Sequence, residues 1–137
     1  MPAVIAGYAR SPFTPSKRGA LARTRPDDIA ATVVNGLIRE TGVDPSLIED
    51  LIVGTAFPEA EQGFNVARMI TFLTDLPDTV PGVTINRFCG SSMQAIHDAA
   101  GRISMGAGDA FIAGGNRVYD KDPNDWIQSN AQSKAGL

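Results

Sequence analysis

A chain of 137 residues, 43% hydrophobic and 20% charged, has the size and composition to bury the core of one ordinary globular domain. Its net charge of −3 argues against a nucleic-acid binder, which needs a basic face, and no apolar stretch approaches the length that crosses a bilayer. A single cysteine rules out an internal disulfide and, with a single histidine, a structural zinc site of the usual kind; the start, MPAVIAGYAR, is no secretory signal, and a cytoplasmic protein is the default expectation.

Pro and Gly divide the chain into alternating strands and helices, with no internal repeat. Residues 3–9 (AVIAGYA) read as a short buried strand, followed by a loop in which Pro12, Pro15 and Gly19 prevent regular structure. Five basic residues and no acidic one lie between Arg10 and Arg25, a pattern expected of a solvated loop, with a phosphate-rich ligand as the alternative. Thr24-Arg25-Pro26-Asp27 resembles a capping box with an early Pro, so a helix is predicted to start there. Behind it Ile29, Val33, Leu37 and Thr41 recur every four residues, with Val34 and Ile38 alongside, until Gly42 stops the helix.

DPSLIED is a turn leading into LIVGTA, a second buried strand. The loop FPEAEQG precedes a second helix, FNVARMITFLTDL, whose apolar face is Val66, Ile70 and Leu73 with Met69 beside them. Pro77 and Pro81 bracket the connection to a third strand, GVTINRF, which ends at Cys89. A third helix is predicted from Ser91 to Met105, with Met93, Ile96, Ala100 and Ile103 on one face. DAFIA is a fourth strand, closed by Gly114-Gly115. Such alternation implies an α/β domain with a largely parallel sheet covered by helices. From Asn116 the chain turns polar, and residues 116–137 read as a peripheral tail.

Cys89 is the position with a chemical argument. It lies where a buried strand stops and Gly90-Ser91-Ser92 lets the chain turn into a helix. Sulfur there meets backbone N–H groups and the positive end of the helix dipole, both of which favour the thiolate, the nucleophilic form. Gly90 leaves room for a substrate, and the same N–H groups could bind the oxygen that turns negative when a thioester is attacked. A small buried apolar residue is the competing reading, because cysteine is commonly that.

VTINRFCGSSMQAIHDAA resembles the nucleophile segment of thiolases, in which N-x-x-C-G-S leads into a helix. Arg10-Ser11-Pro12-Phe13, Gly42-Val43-Asp44-Pro45, Gln62-Gly63-x-Asn65-x-Ala67-Arg68 and Asp109-Ala110-x-x-x-Ala113-Gly114-Gly115 resemble further motifs of that family in the same order. The resemblance implies a thiolase-like fold: a mostly parallel mixed sheet covered by helices, one half of an αβαβα core. It makes residues 1–115 the nucleophile half and 116–137 a divergent tail, a remnant of the loop domain that holds CoA. It also implies cleavage or formation of 3-oxoacyl-CoA through an acyl-cysteine at Cys89, with Gly90 supporting the turn and oxyanion. Acyl-CoA and CoA are then substrates, with no metal or redox cofactor, and subunits pair into a homo-oligomer through the strand Gly82–Phe88. Residues that contact CoA are not assigned.

The family draws its activating His, a second Cys and an Asn from a second half that these 137 residues do not contain. His97 does not replace them: eight residues past Cys89 in one helix, it lies about 12 Å along the axis. Ser91 and Ser92 are expected to cap the helix, Asn86 to brace the turn, and Met93 to occupy a core position. The acidic pairs Asp27/Asp28, Glu49/Asp50 and Glu59/Glu61 are expected to be solvated. Two alternatives stand beside the thiolase reading: a ketoacyl-synthase-like condensing enzyme, and a non-catalytic thiolase-like module that binds acyl-CoA or a partner.

Overall fold

The computed structural model describes residues 2–15 and 18–116. Helix α1 spans Pro26–Thr41, β1 Asp50–Gly54, α2 Val66–Thr71, β2 Gly82–Ile85, α3 Ser91–Ser104 and β3 Phe111–Gly115. Single 3-10 turns at Pro45–Leu47 and Ala60–Gln62 lie in the connections. The three strands form one sheet in the order β2-β1-β3, and both pairings are parallel. Leu51 and Val53 of the central strand point into a core with Val34 and Ile38 of α1 and Val66 and Ile70 of α2. Ile52, on the opposite face, packs against Ala95 and Ala99 of α3. The period-2 alternation of β1 thus joins two helical layers through one strand.

Local chemistry explains most boundaries. α1 carries Pro26 at its first position and ends on Gly42, whose φ of 66° lets its N–H reach Ile38 O at 3.0 Å. Asn65 caps α2 by accepting from Arg68 N–H at 3.3 Å. That helix stops at Thr71, earlier than the apolar pattern predicts. The Thr71 hydroxyl donates to Arg68 O at 2.7 Å and the Thr74 hydroxyl to Thr71 O at 2.8 Å, drawing the backbone into tight turns. Leu73, past this end, is exposed, as is Met69 within the helix, while Val66 and Ile70 are buried as expected.

Several expectations are corrected. Residues 3–9 form no strand: the segment pairs with none of β1, β2 and β3 and runs outside the sheet. Val4, Ile5 and Tyr8 remain 81%, 79% and 88% exposed. Ile29 and Val33 of α1 face this segment across an open groove of about 1010 Å³, so the predicted stripe is only half-buried and Val34 and Ile38 carry the core. No side chain caps α1, and the capping box at Thr24 does not form. β3 begins two residues later than read, because Phe111–Gly115 is the stretch in register with Asp50–Gly54, and the glycine pair lies inside the strand. The tail from residue 117 lies outside the described residues.

Asp27 and Asp50 are not solvated. Asp50 is buried against Arg102 of α3, 2.5 Å away. Asp27 receives Arg25 Nε at 3.0 Å and Nη2 at 2.8 Å, and the Asp28 N–H at 3.2 Å. Burial pushes the Asp27 carboxyl up, but the guanidinium and these N–H groups outweigh it and hold the group below its ordinary 3.8. A carboxyl depressed in the folded state adds stability that is fully present above its ordinary value and is lost as pH falls through the folded one. Arg25→Ala should therefore lower stability near neutral pH by about 1–2 kcal/mol and flatten its fall in acid. Urea melts across the acid range check this, and an unchanged acid limb would contradict it.

Candidate active site at the strand-to-helix turn

β2 ends at Ile85, and residues 86–90 carry the chain into α3. Phe88 adopts φ +48°, the left-handed region that bulky side chains rarely occupy. Its N–H donates to Asn86 Oδ1 at 2.9 Å, and the Asn86 amide donates to Ala56 O at 3.3 Å, tying the turn to the loop after β1. Asn86 is thus a brace of the turn, as the sequence predicts. Cys89 follows Phe88 and is exposed.

The first two amides beyond it do not stand open. Gly90 N–H donates to Arg87 O at 3.0 Å and Ser91 N–H to Phe88 O at 3.1 Å, so the turn itself uses these two donors. Gly90, the N-cap of α3, serves the turn. No side chain caps α3; the Ser91 hydroxyl points back instead, accepting from Arg87 N–H at 2.8 Å and donating to Phe88 O at 2.6 Å. Arg87 donates to Gln94 Oε1, and the Gln94 amide donates to Asp98 Oδ1 at 2.7 Å along the outer face of α3.

Two glycines admit the start of α3 to the sheet. A Cβ on Gly54 would lie 2.3 Å from Ser91 C, and one on Gly115 would lie 1.9 Å from Ser92 Oγ. The close approach selects small residues for the inner face of α3, where Ser91, Ala95 and Ala99 are buried. The larger apolar residues then face outward, which corrects the core position expected of Met93: it is 63% exposed and Ile96 44%. Arg87, Gly90, Met93, Gln94 and His97 line an open cleft of about 210 Å³ beside the turn. His97 belongs to this cleft from two helical turns along α3, and is exposed.

Sequence reasoning overlooked Gly54 and Phe88. A glycine inside the apolar run LIVG signals close backbone approach and could have been read that way; nothing in a phenylalanine announces a positive φ. Among the described residues no group of three His, Cys, Asp or Glu side chains could hold a metal ion, and no helix is long and apolar enough to cross a membrane.

The family model described as thiolase, N-terminal domain, matches residues 3–131. A 3-ketoacyl-CoA thiolase of Bacillus subtilis is 50% identical over 121 residues, covering 88% of this chain and 31% of that protein. One from Saccharophagus degradans is 48% identical over 113 residues, covering 82% of this chain and 29% of that protein. The crystal structure of the Bacillus anthracis acetyl-CoA acetyltransferase superposes with a TM-score of 0.76 at 36% identity, covering 82% of this chain and 28% of that one. The 137 residues therefore span about three-tenths of the length of the relatives they match.

Proposed function

The chain belongs to the thiolase family, its amino-terminal domain, and on that premise we propose that it serves acyl transfer to and from CoA thioesters with Cys89 as the acyl acceptor. In the cleaving direction the Cys89 sulfur bonds to the C3 carbonyl carbon of a 3-oxoacyl-CoA. The C2–C3 bond breaks, acetyl-CoA leaves as a carbanion and takes a proton, and the thiol of CoA then removes the acyl group from sulfur. In the forming direction the acetyl-CoA carbanion attacks the acyl-cysteine. Each step exchanges a bond at carbon or sulfur, so CoA thioesters suffice as substrates without a redox cofactor. Gly90 supports the turn that presents the sulfur.

The observation that carries this reading is the exposed Cys89 at the carboxyl end of a parallel strand, on a braced turn at the start of α3. Ligands of α/β sheets collect at that end of the strands. The reading extends to fatty-acyl metabolism in the cytoplasm and to a homo-oligomer that pairs through the edge of β2 left unpaired among the described residues.

Protection from alkylation tests it. Preincubation with acetyl-CoA should shield Cys89 from iodoacetamide, and the shielding should survive removal of the ligand by gel filtration, because an acyl-cysteine is covalent. Shielding that washes away would mean a binding module in place of an acyl acceptor. Over the same period the 137 residues should not thiolyse acetoacetyl-CoA above background, since the second half from which the family takes its activating His, second Cys and Asn is not among them.

A further inference from the structure

We infer that Ser91 is a positioning residue for Cys89, its buried hydroxyl holding Phe88 in the left-handed conformation from which the nucleophile is presented. The inference rests on the reading of Cys89 as acyl acceptor. Phe88 lies at φ +48° and the residue is 70% exposed, so burial does not explain why the backbone accepts the strain. Hydrogen bonds do. Phe88 O accepts from the Ser91 hydroxyl at 2.6 Å and from the Ser91 amide at 3.1 Å, and its N–H is held by Asn86 Oδ1 at 2.9 Å.

The Ser91 oxygen also accepts from Arg87 N–H at 2.8 Å, so one hydroxyl ties the Asn86–Arg87 peptide to the Phe88–Cys89 peptide across the strained residue. Such a loop needs a group that donates and accepts at once. Ser91 can anchor it because the residue is only 3% exposed and its backbone lies against Gly54 at the end of β1. Force therefore passes from the sheet through Ser91 to Phe88, and Phe88 sets the direction in which the next residue, Cys89, leaves the turn. The serine does not cap α3, whose N-cap is Gly90 without a side-chain bond, so alanine at 91 leaves the helix intact.

A double-mutant cycle separates positioning from plain support of the fold. The second-order rate of Cys89 alkylation by iodoacetamide is measured, without acyl-CoA, in the unchanged chain, Ser91→Ala, Phe88→Gly and the double variant, each shown to be folded by circular dichroism. Glycine enters positive φ without steric cost, so Phe88→Gly needs no clamp. Ser91→Ala should slow alkylation about fivefold, because the released turn no longer holds the sulfur in one direction of presentation. In the glycine background the same substitution should change the rate by less than about twofold. A fivefold loss in both backgrounds, or none in either, overturns the inference. Failed acetyl transfer with the coupling intact would count against the proposed function and not against this device.

Discussion

Gly54→Ala should destabilise the chain by about 2–3 kcal/mol and suppress alkylation of Cys89, although it adds one methyl group. The new Cβ would lie 2.3 Å from Ser91 C, 2.5 Å from Ser92 N and 2.6 Å from Ser91 O. All three are backbone atoms of the first turn of α3, so no side chain can swing aside. Relief requires α3 to lift off the carboxyl end of β1, and the turn carrying Cys89 lifts with it. Gly36→Ala is the matched control: nothing lies within 4 Å of its new Cβ, and it sits inside α1. That substitution should stabilise by about 1 kcal/mol, the ordinary helical gain of alanine over glycine. Urea denaturation reads both, and a Gly54→Ala chain that unfolds with the unchanged protein would refute the contact.

The 137-residue chain should self-associate at micromolar concentration. α3 turns Met93 and Ile96 outward, 63% and 44% exposed, and the neighbouring β2 leaves one edge of the sheet unpaired among the described residues. Soluble monomers seldom keep an apolar face beside an open strand edge. Sedimentation velocity across a concentration series should show dimers or larger species. Replacing Met93 and Ile96 together by Glu should raise the dissociation constant at least about tenfold. A single monomeric species at every concentration, with cooperative unfolding, would contradict this expectation.

Much of the fold is legible in the sequence wherever local chemistry decides. LIVG and GVTI become strands, Gly42 ends α1, and α3 falls within one residue of its predicted end, because glycine and proline act without reference to distant partners. Cys89 at the junction of strand and helix is legible for the same reason. What fails depends on contacts far along the chain. AVIAGYA reads as a strand, yet a strand needs a hydrogen-bonded neighbour, and an apolar run cannot reveal that the three-stranded sheet forms without this segment. Periodicity finds that Met93 and Ile96 share a face of α3, but not that Gly54 and Gly115 give the sheet side to Ala95 and Ala99. The Asp50–Arg102 pair joins residues from different elements, which no local pattern shows. The positive φ of Phe88 is set by Asn86 and Ser91, not by the phenylalanine itself.

The central claim, that Cys89 accepts an acyl group, is tested most directly by the mass of the intact chain after incubation with acetyl-CoA and removal of excess ligand. The mass should rise by about 42 Da, one acetyl group replacing the thiol hydrogen, located by fragmentation on the peptide that contains Cys89 and absent from Cys89→Ala. A chain of unchanged mass, or an acetyl group carried equally by Cys89→Ala, would contradict it.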